Sequence, residues 1–263
     1  MVLPKFAWQQ LASERLMISV LVAAMFWPIA CALFVYVANR ADLLAGFGEL
    51  PDFLRVDSTF FHIFMGAQSV FAIVLAALVG PGLIAPDLSN GALPLYFSRP
   101  LSRTEYVVAR MMALVGILSV VTWVPGLFLF LMQTGMAGWD WFAGNWRVGL
   151  GLFFGFLLWI LLVGLVALAC SAYVKWRVVG GALVLAVFFV MAGAAELTDE
   201  ILRVQWASAF NPARAMDQVW RSMLGLDPAP GPGTTTCVIA LALMVVALIL
   251  VIERRLRPVQ VVS

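Results

Sequence analysis

Charge is scarce in this chain. Asp, Glu, Lys and Arg make up 11% of its 263 residues, while 63% are hydrophobic; a soluble domain averages about 25% charged and 45–50% apolar. No soluble core hides that much apolar surface, which excludes a soluble fold. Histidine occurs once, at His62. A catalytic triad or a His-containing metal cluster is therefore hard to build, and His62, standing alone at the start of an apolar run, reads as an interfacial or packing residue. Cys31, Cys170 and Cys237 lie far apart in apolar segments without a Cys-x-x-Cys pair, so they read as small buried hydrophobes rather than a redox or metal motif. There is no G-x-x-x-x-G-K-[ST], and with it goes a P-loop that would cradle ATP phosphates.

What is present is long and apolar. A membrane-spanning helix needs about 20 such residues, and six segments qualify: 16–38, 61–84, 107–132, 148–172, 178–196 and 234–252. The first is too long for the core of a cleavable signal. All six are expected to be helical, because a backbone in hydrocarbon must satisfy its own hydrogen bonds. The predicted fold is thus a single all-α transmembrane domain over 1–263. Residues 3–15 (LPKFAWQQLASER) read as an amphipathic interfacial helix ahead of the first span.

The loops sort the charges. The N-terminal segment, 85–106 with Arg110, 173–177 and the C-terminal segment hold ten of the sixteen Lys and Arg: Lys5, Arg15, Arg99, Arg103, Arg110, Lys175, Arg177, Arg254, Arg255 and Arg257. The positive-inside rule puts this side, with both termini, in the cytoplasm. Trp139, Trp141 and Trp146 crowd what reads as a short outer loop, WDWFAGNWR, where indole rings favour the headgroup layer. Residues 197–230 form the longest outer segment. Its middle, NPARAMDQVWRSMLGL, has an Asn-Pro helix start and apolar residues at helical spacing, predicting a helix that lies at the interface or dips into the bundle.

The central parts of the spans carry no ionisable residue. A proton-coupled carrier needs a titratable group at depth, so that reading weakens, and no constellation supports an intramembrane enzyme. The buried polar residues are Gln68, Ser69, Ser119 and Thr122. Pro28 and Pro125 interrupt the first and third spans. Pro28, Gln68, Thr122 and Pro125 are the candidate pathway or hinge residues. Gly151-x-x-x-Gly155 permits close approach of helices, and Gly180-Gly181 opens the fifth span.

The stretch Gly80–Arg110 is the polar interruption where the chain can meet a soluble partner. Pro81, Gly82 and Pro86 end the second helix. Asp87, Ser89 and Asn90 are good N-cap types, Ala92–Phe97 is too short to span, and Arg99-Pro100 forces an extended break. Ser102 or Thr104 is placed to cap the third span, with Glu105 in its first turn. Read alone, this is a basic loop at the lipid headgroups.

The same residues resemble the inner loop of type-2 ABC transporter permeases. The matching positions are Asp87, Gly91, Leu93, Ser98, Pro100, Leu101, Ser102, Arg103, Glu105 and Arg110. Asp87 stands where Glu is commoner, Arg110 where Lys is commoner, and Pro94 is unusual in the apolar run. The resemblance extends to the six spans, the amphipathic start and the long outer segment. It implies that residues 86–103 form a coupling helix docking on a separate ATPase subunit, through Asp87, Asn90, Gly91, Leu93, Leu95, Ser98, Arg99, Pro100, Ser102, Arg103 and Glu105. It further implies a non-catalytic permease of a bacterial cytoplasmic membrane, paired with a second permease chain, identical or paralogous. ATP and Mg would be bound by the ATPase, not by this chain, and nucleic acid is not an expected partner. The sparse polar lining leans toward a hydrophobic or amphipathic exported cargo. The alternative is a membrane scaffold that recruits an ATPase and periplasmic proteins for maturation or assembly.

Overall fold

Helix α1, Arg15–Ala38, opens the computed structural model, which describes residues 15–40, 55–83, 103–174 and 176–255. Its 24 residues rise about 36 Å at 1.5 Å per residue, more than the roughly 30 Å of a hydrocarbon core. The chain continues through α2 (Ser58–Val79), α3 (Arg103–Val121), α4 (Trp123–Ala137), α5 (Trp139–Tyr173) and α6 (Arg177–Leu202). A short 3-10 helix (Ala207–Phe210), α7 (Pro212–Leu224) and α8 (Thr234–Arg255) complete it. All regular structure among the described residues is helical. Six helical stretches are long and apolar enough to cross a membrane, with α3 and α4 together making one of them, Glu105–Ala137. This is the architecture of a multi-pass membrane protein.

The predicted spans correspond to these helices, with three corrections. The third span is interrupted as expected, the break falling at Thr122 (φ −108°, ψ −97°), three residues before Pro125, whereas α1 runs on unbroken through Pro28. The supposed loop WDWFAGNWR is helical and forms the first turns of α5. The connection from α4 shrinks to Gly138, whose φ of +90° is one a side chain would resist. The fifth span runs on to Leu202, past the expected end at 196, and Arg203 closes it in the left-handed conformation.

Successive spans run antiparallel, α3 and α4 counting as one, so the bundle has two ends. One end gathers the exits of α2, α5 and α8 and the starts of α3 and α6; it is called the motif end because the 84–102 stretch joins α2 to α3 there. Capping bonds hold it together. Leu78 C=O accepts from Arg177 Nε and Nη2 at 3.3 and 3.0 Å, Pro81 C=O from Ser171 Oγ at 3.1 Å, and Ala172 C=O from Arg255 Nε at 3.1 Å. Each acceptor is a helix-terminal carbonyl, the group that has no partner within its own helix.

Helix α5 is the axis. It packs against α2, α3, α4, α6, α7 and α8, and 67% of its most apolar window is buried, against 17% for α8. The other faces of α1, α6 and α8 are apolar and exposed, with Phe26, Ile29, Phe189, Val190 and Ile239 among their exposed side chains, as lipid-facing surfaces must be. Helix α7 dips into the bundle rather than lying flat. Asn211 caps it by accepting from Ala213 N–H and Arg214 N–H, Pro212 occupies its first turn, and Gly225 ends it at φ +74°. Its buried face sets Trp220 against Phe156 and Trp159.

Candidate functional site

Of the residues expected to couple to an ATPase, Asp87, Asn90, Gly91, Leu93, Leu95, Ser98, Arg99, Pro100 and Ser102 lie outside the described residues, as does the 3–15 segment. The far edge of the loop is described. Helix α3 starts at Arg103 with Glu105 in its first turn, as expected. One turn on, Arg110 lies over the ring of buried Tyr106, 5.3 Å from its centroid. Close contacts draw α6 onto the other edge. A Cβ on Gly180 would lie 2.7 Å from Pro81 Cβ, and one on Gly181 2.6 Å from the Ala77 carbonyl oxygen.

The four hinge candidates converge on one place. A proline has no N–H, so the carbonyl four residues before it loses its helical donor. For Pro28 that carbonyl is Ala24; for Pro125 it is Val121. The fully buried Gln68 of α2 donates from Nε2 to both, at 3.2 Å to Ala24 O and 2.7 Å to Val121 O. One side-chain amide thus replaces the donors that two prolines in two different helices lack. Thr122 sits beside it, its Oγ1 donating to Leu118 O at 2.7 Å. The clasp ties α1, α2 and the α3–α4 break at a depth where water cannot substitute. Gln68 Oε1 is buried with no hydrogen-bond partner among the described residues, so its acceptor side is unspent.

A second cluster lies at the opposite end. His62 is not alone, as its position in an apolar run suggested. Its Nε2 meets Asp217 Oδ1 of α7 at 2.7 Å, and Arg221 Nε donates to Asp217 Oδ2 at 2.9 Å. An ionised carboxylate only accepts, so the His62 Nε2–H is the donor. Burial pushes the Asp217 carboxyl up, but the hydrogen bonds from His62 and Arg221 outweigh it and hold the group below the usual carboxylate range. The Asp217–Arg221 pair was legible as an i, i+4 spacing within a predicted helix; the partnership with His62, 155 residues away, left no local signal.

This latch has a defined pH sense. Because the folded-state value is depressed, its stabilisation is complete above the unfolded Asp value near 3.9 and disappears as pH falls through the lower folded value. Asp217→Asn is expected to cost about 1 kcal/mol at neutral pH, a modest figure because the carboxylate is partly exposed to screening. The check is hydrogen exchange of α7 at pH 7 and at pH 3. Faster exchange of α7 in the variant at pH 7, with a smaller gap at pH 3, is the expected result; equal exchange at pH 7 would show that the latch carries nothing.

The Gly151-x-x-x-Gly155 pair permits close approach of helices, as expected, and the helix it admits is α7, with Met65 of α2 beside it. A Cβ on Gly151 would meet Leu224 Cδ2 at 3.0 Å, and one on Gly155 would meet Trp220 Cδ1 and Met65 Cε at 2.8 Å. Compared with known proteins, the chain matches no family model and no curated sequence.

Proposed function

We propose that this chain is the permease subunit of an ABC exporter, moving a hydrophobic or amphipathic substrate under the drive of a separate ATPase docked on residues 86–103. The observation that carries the reading is the pattern from Asp87 to Arg110 between the second and third membrane helices, in a chain with no P-loop of its own. In this reading the motif end, rich in Arg, faces the cytoplasm of a bacterium, and two permease chains stand side by side with one ATPase under each.

The mechanism follows from what the loop joins. A push on residues 86–103 acts on the exit of α2 and the start of α3. Those two helices meet again at Gln68, which also holds α1. ATP binding would favour one of two packings of this trio, since a ligand shifts an equilibrium only by its differential affinity for the two states. The clasp suits a movable joint, because its hydrogen bonds are made by a side chain and can be exchanged without unwinding a helix.

Arg103→Glu reverses charge at the edge of the loop. The variant is expected to insert normally and to lose co-purification with the ATPase, or stimulation of ATP hydrolysis, by at least about tenfold, as for a charge-assisted contact turned repulsive. Normal assembly and transport in that variant would sink the assignment.

One observation favours the scaffold alternative. The last turns of α6 and the segment between α6 and α8 form a polar cleft of about 360 Å³ lined by Glu196, Asp199, Ser208 and Arg214, the polar surface that this alternative needs for a partner. Substrate movement in proteoliposomes containing only permease and ATPase separates the two: the scaffold reading expects none.

A further inference from the structure

The structure assigns a binding site for an anionic amphiphile between α1 and the start of α2, at the end of the bundle opposite the motif end. A cavity of about 530 Å³ opens there, inside the roughly 300–1,000 Å³ range of small-molecule sites. Trp27 and Phe34 line it from α1, and Phe60 and Ile63 from α2. Phe34 and Phe60 stack with centroids 5.3 Å apart and an interplanar angle of 11°, which gives the cavity a flat aromatic wall. Such a wall accepts an apolar body and offers it no hydrogen bond.

The polar features are few, and the cation among them is Arg55. Arg55 stands just before α2, at the lining; with five N–H donors it can engage an anionic group while keeping other partners. Asp57 also lines the cavity, but its Oδ1 accepts from Thr59 N–H and Phe60 N–H, so its charge is set against the positive end of the α2 dipole. Trp27, which lines the cavity deeper along α1, carries a buried indole N–H with no partner among the described residues. That N–H is fully buried and does not open onto the cavity, which leaves the anionic group of a ligand to Arg55. Exposed Phe26, Ile29, Leu33 and Ile63 on the same two helices give the surrounding surface a lipid-facing character, so a ligand can arrive sideways from the bilayer. The site's chemistry is the same whether that ligand is an anionic membrane lipid or a soluble amphiphilic anion. It does not depend on the ATPase-driven reading, because binding requires no nucleotide.

The test uses the full chain in nanodiscs of phosphatidylcholine, without ATP. One arm adds a phosphatidylglycerol bearing a diazirine on its acyl chain, and labelled residues are mapped by mass spectrometry. The other arm adds anilinonaphthalene sulfonate and follows its fluorescence. The expected result is saturable binding in at least one arm. In the lipid arm, labelling should concentrate on 27–34 and 59–64. Arg55→Gln should weaken binding about tenfold, as loss of a charge-assisted hydrogen bond implies, and Ala30→Trp, which fills the cavity, should abolish it. A response to lipid alone identifies a membrane lipid, and a response to the sulfonate alone identifies a soluble amphiphile. The proposal is overturned by labelling spread evenly over exposed helix faces, or by binding in both arms that is indifferent to Arg55→Gln. Arg55→Gln leaves the packed core untouched, so it decides the matter if Ala30→Trp fails to fold.

Discussion

Replacing Gln68 with Leu should destabilise the bundle by about 2–4 kcal/mol, one of the largest single effects expected in this protein. The substitution keeps a side chain of similar size in the space but removes both donors. It leaves Ala24 and Val121 carbonyls, now served at 3.2 and 2.7 Å, without a donor in an apolar interior. Each buried orphan costs roughly 1–3 kcal/mol. The lower part of the range is the better expectation, because polar contacts between membrane helices often measure under about 1 kcal/mol each. The specific check is a double-mutant cycle with Pro125→Ala. Alanine restores an N–H that can reach Val121 O, so Gln68→Leu should cost about 1 kcal/mol less in that background. Unfolding in mixed micelles measures both. Strict additivity would mean that Gln68 does not substitute for the N–H that Pro125 lacks, and the clasp as a joint would fall with it.

Gly181→Ala should be comparably damaging and should act on a different contact. The new Cβ would lie 2.6 Å from the Ala77 carbonyl oxygen, a backbone atom that cannot rotate away. Helix α6 must then separate from α2, and Gly180, whose own Cβ position lies 2.7 Å from Pro81 Cβ, is carried with it. Overpacking of this kind costs about 1–3 kcal/mol. Gly193→Ala in the same helix is the control. Nothing lies within 4 Å of its Cβ position, so the substitution should stabilise by about 0.5–1 kcal/mol through helix propensity. Opposite signs for one substitution in one helix would place the effect in the α2–α6 contact. Equal signs would remove the argument that this contact sets the edge of the motif end. The separation should also loosen the pairing of Arg177 with Leu78 O, because both helices supply it.

The sequence by itself determined the solvent. Long apolar runs admit only helices in hydrocarbon, because each backbone group must find its partner within the segment. Six spans, the capped start of α7 at Asn211 and the end of α2 near Pro81 were legible for that reason. So were the residues worth watching, since Gln68 and the two prolines are conspicuous in apolar surroundings. Helix boundaries were less legible where a Trp-rich stretch such as 139–147 suits a headgroup layer as a loop or as a helix turn.

Only the tertiary structure decided who meets whom. Local pattern says that Pro28 and Pro125 free the carbonyls of Ala24 and Val121; it cannot say that one amide reaches both, because that depends on three helices crossing at one depth. The union of His62 with Asp217 and the seating of Trp220 against Gly155 were hidden for the same reason. Hydrogen bonds and packing act over a few ångströms in space, and a run of apolar residues carries no record of which other run will lie beside it.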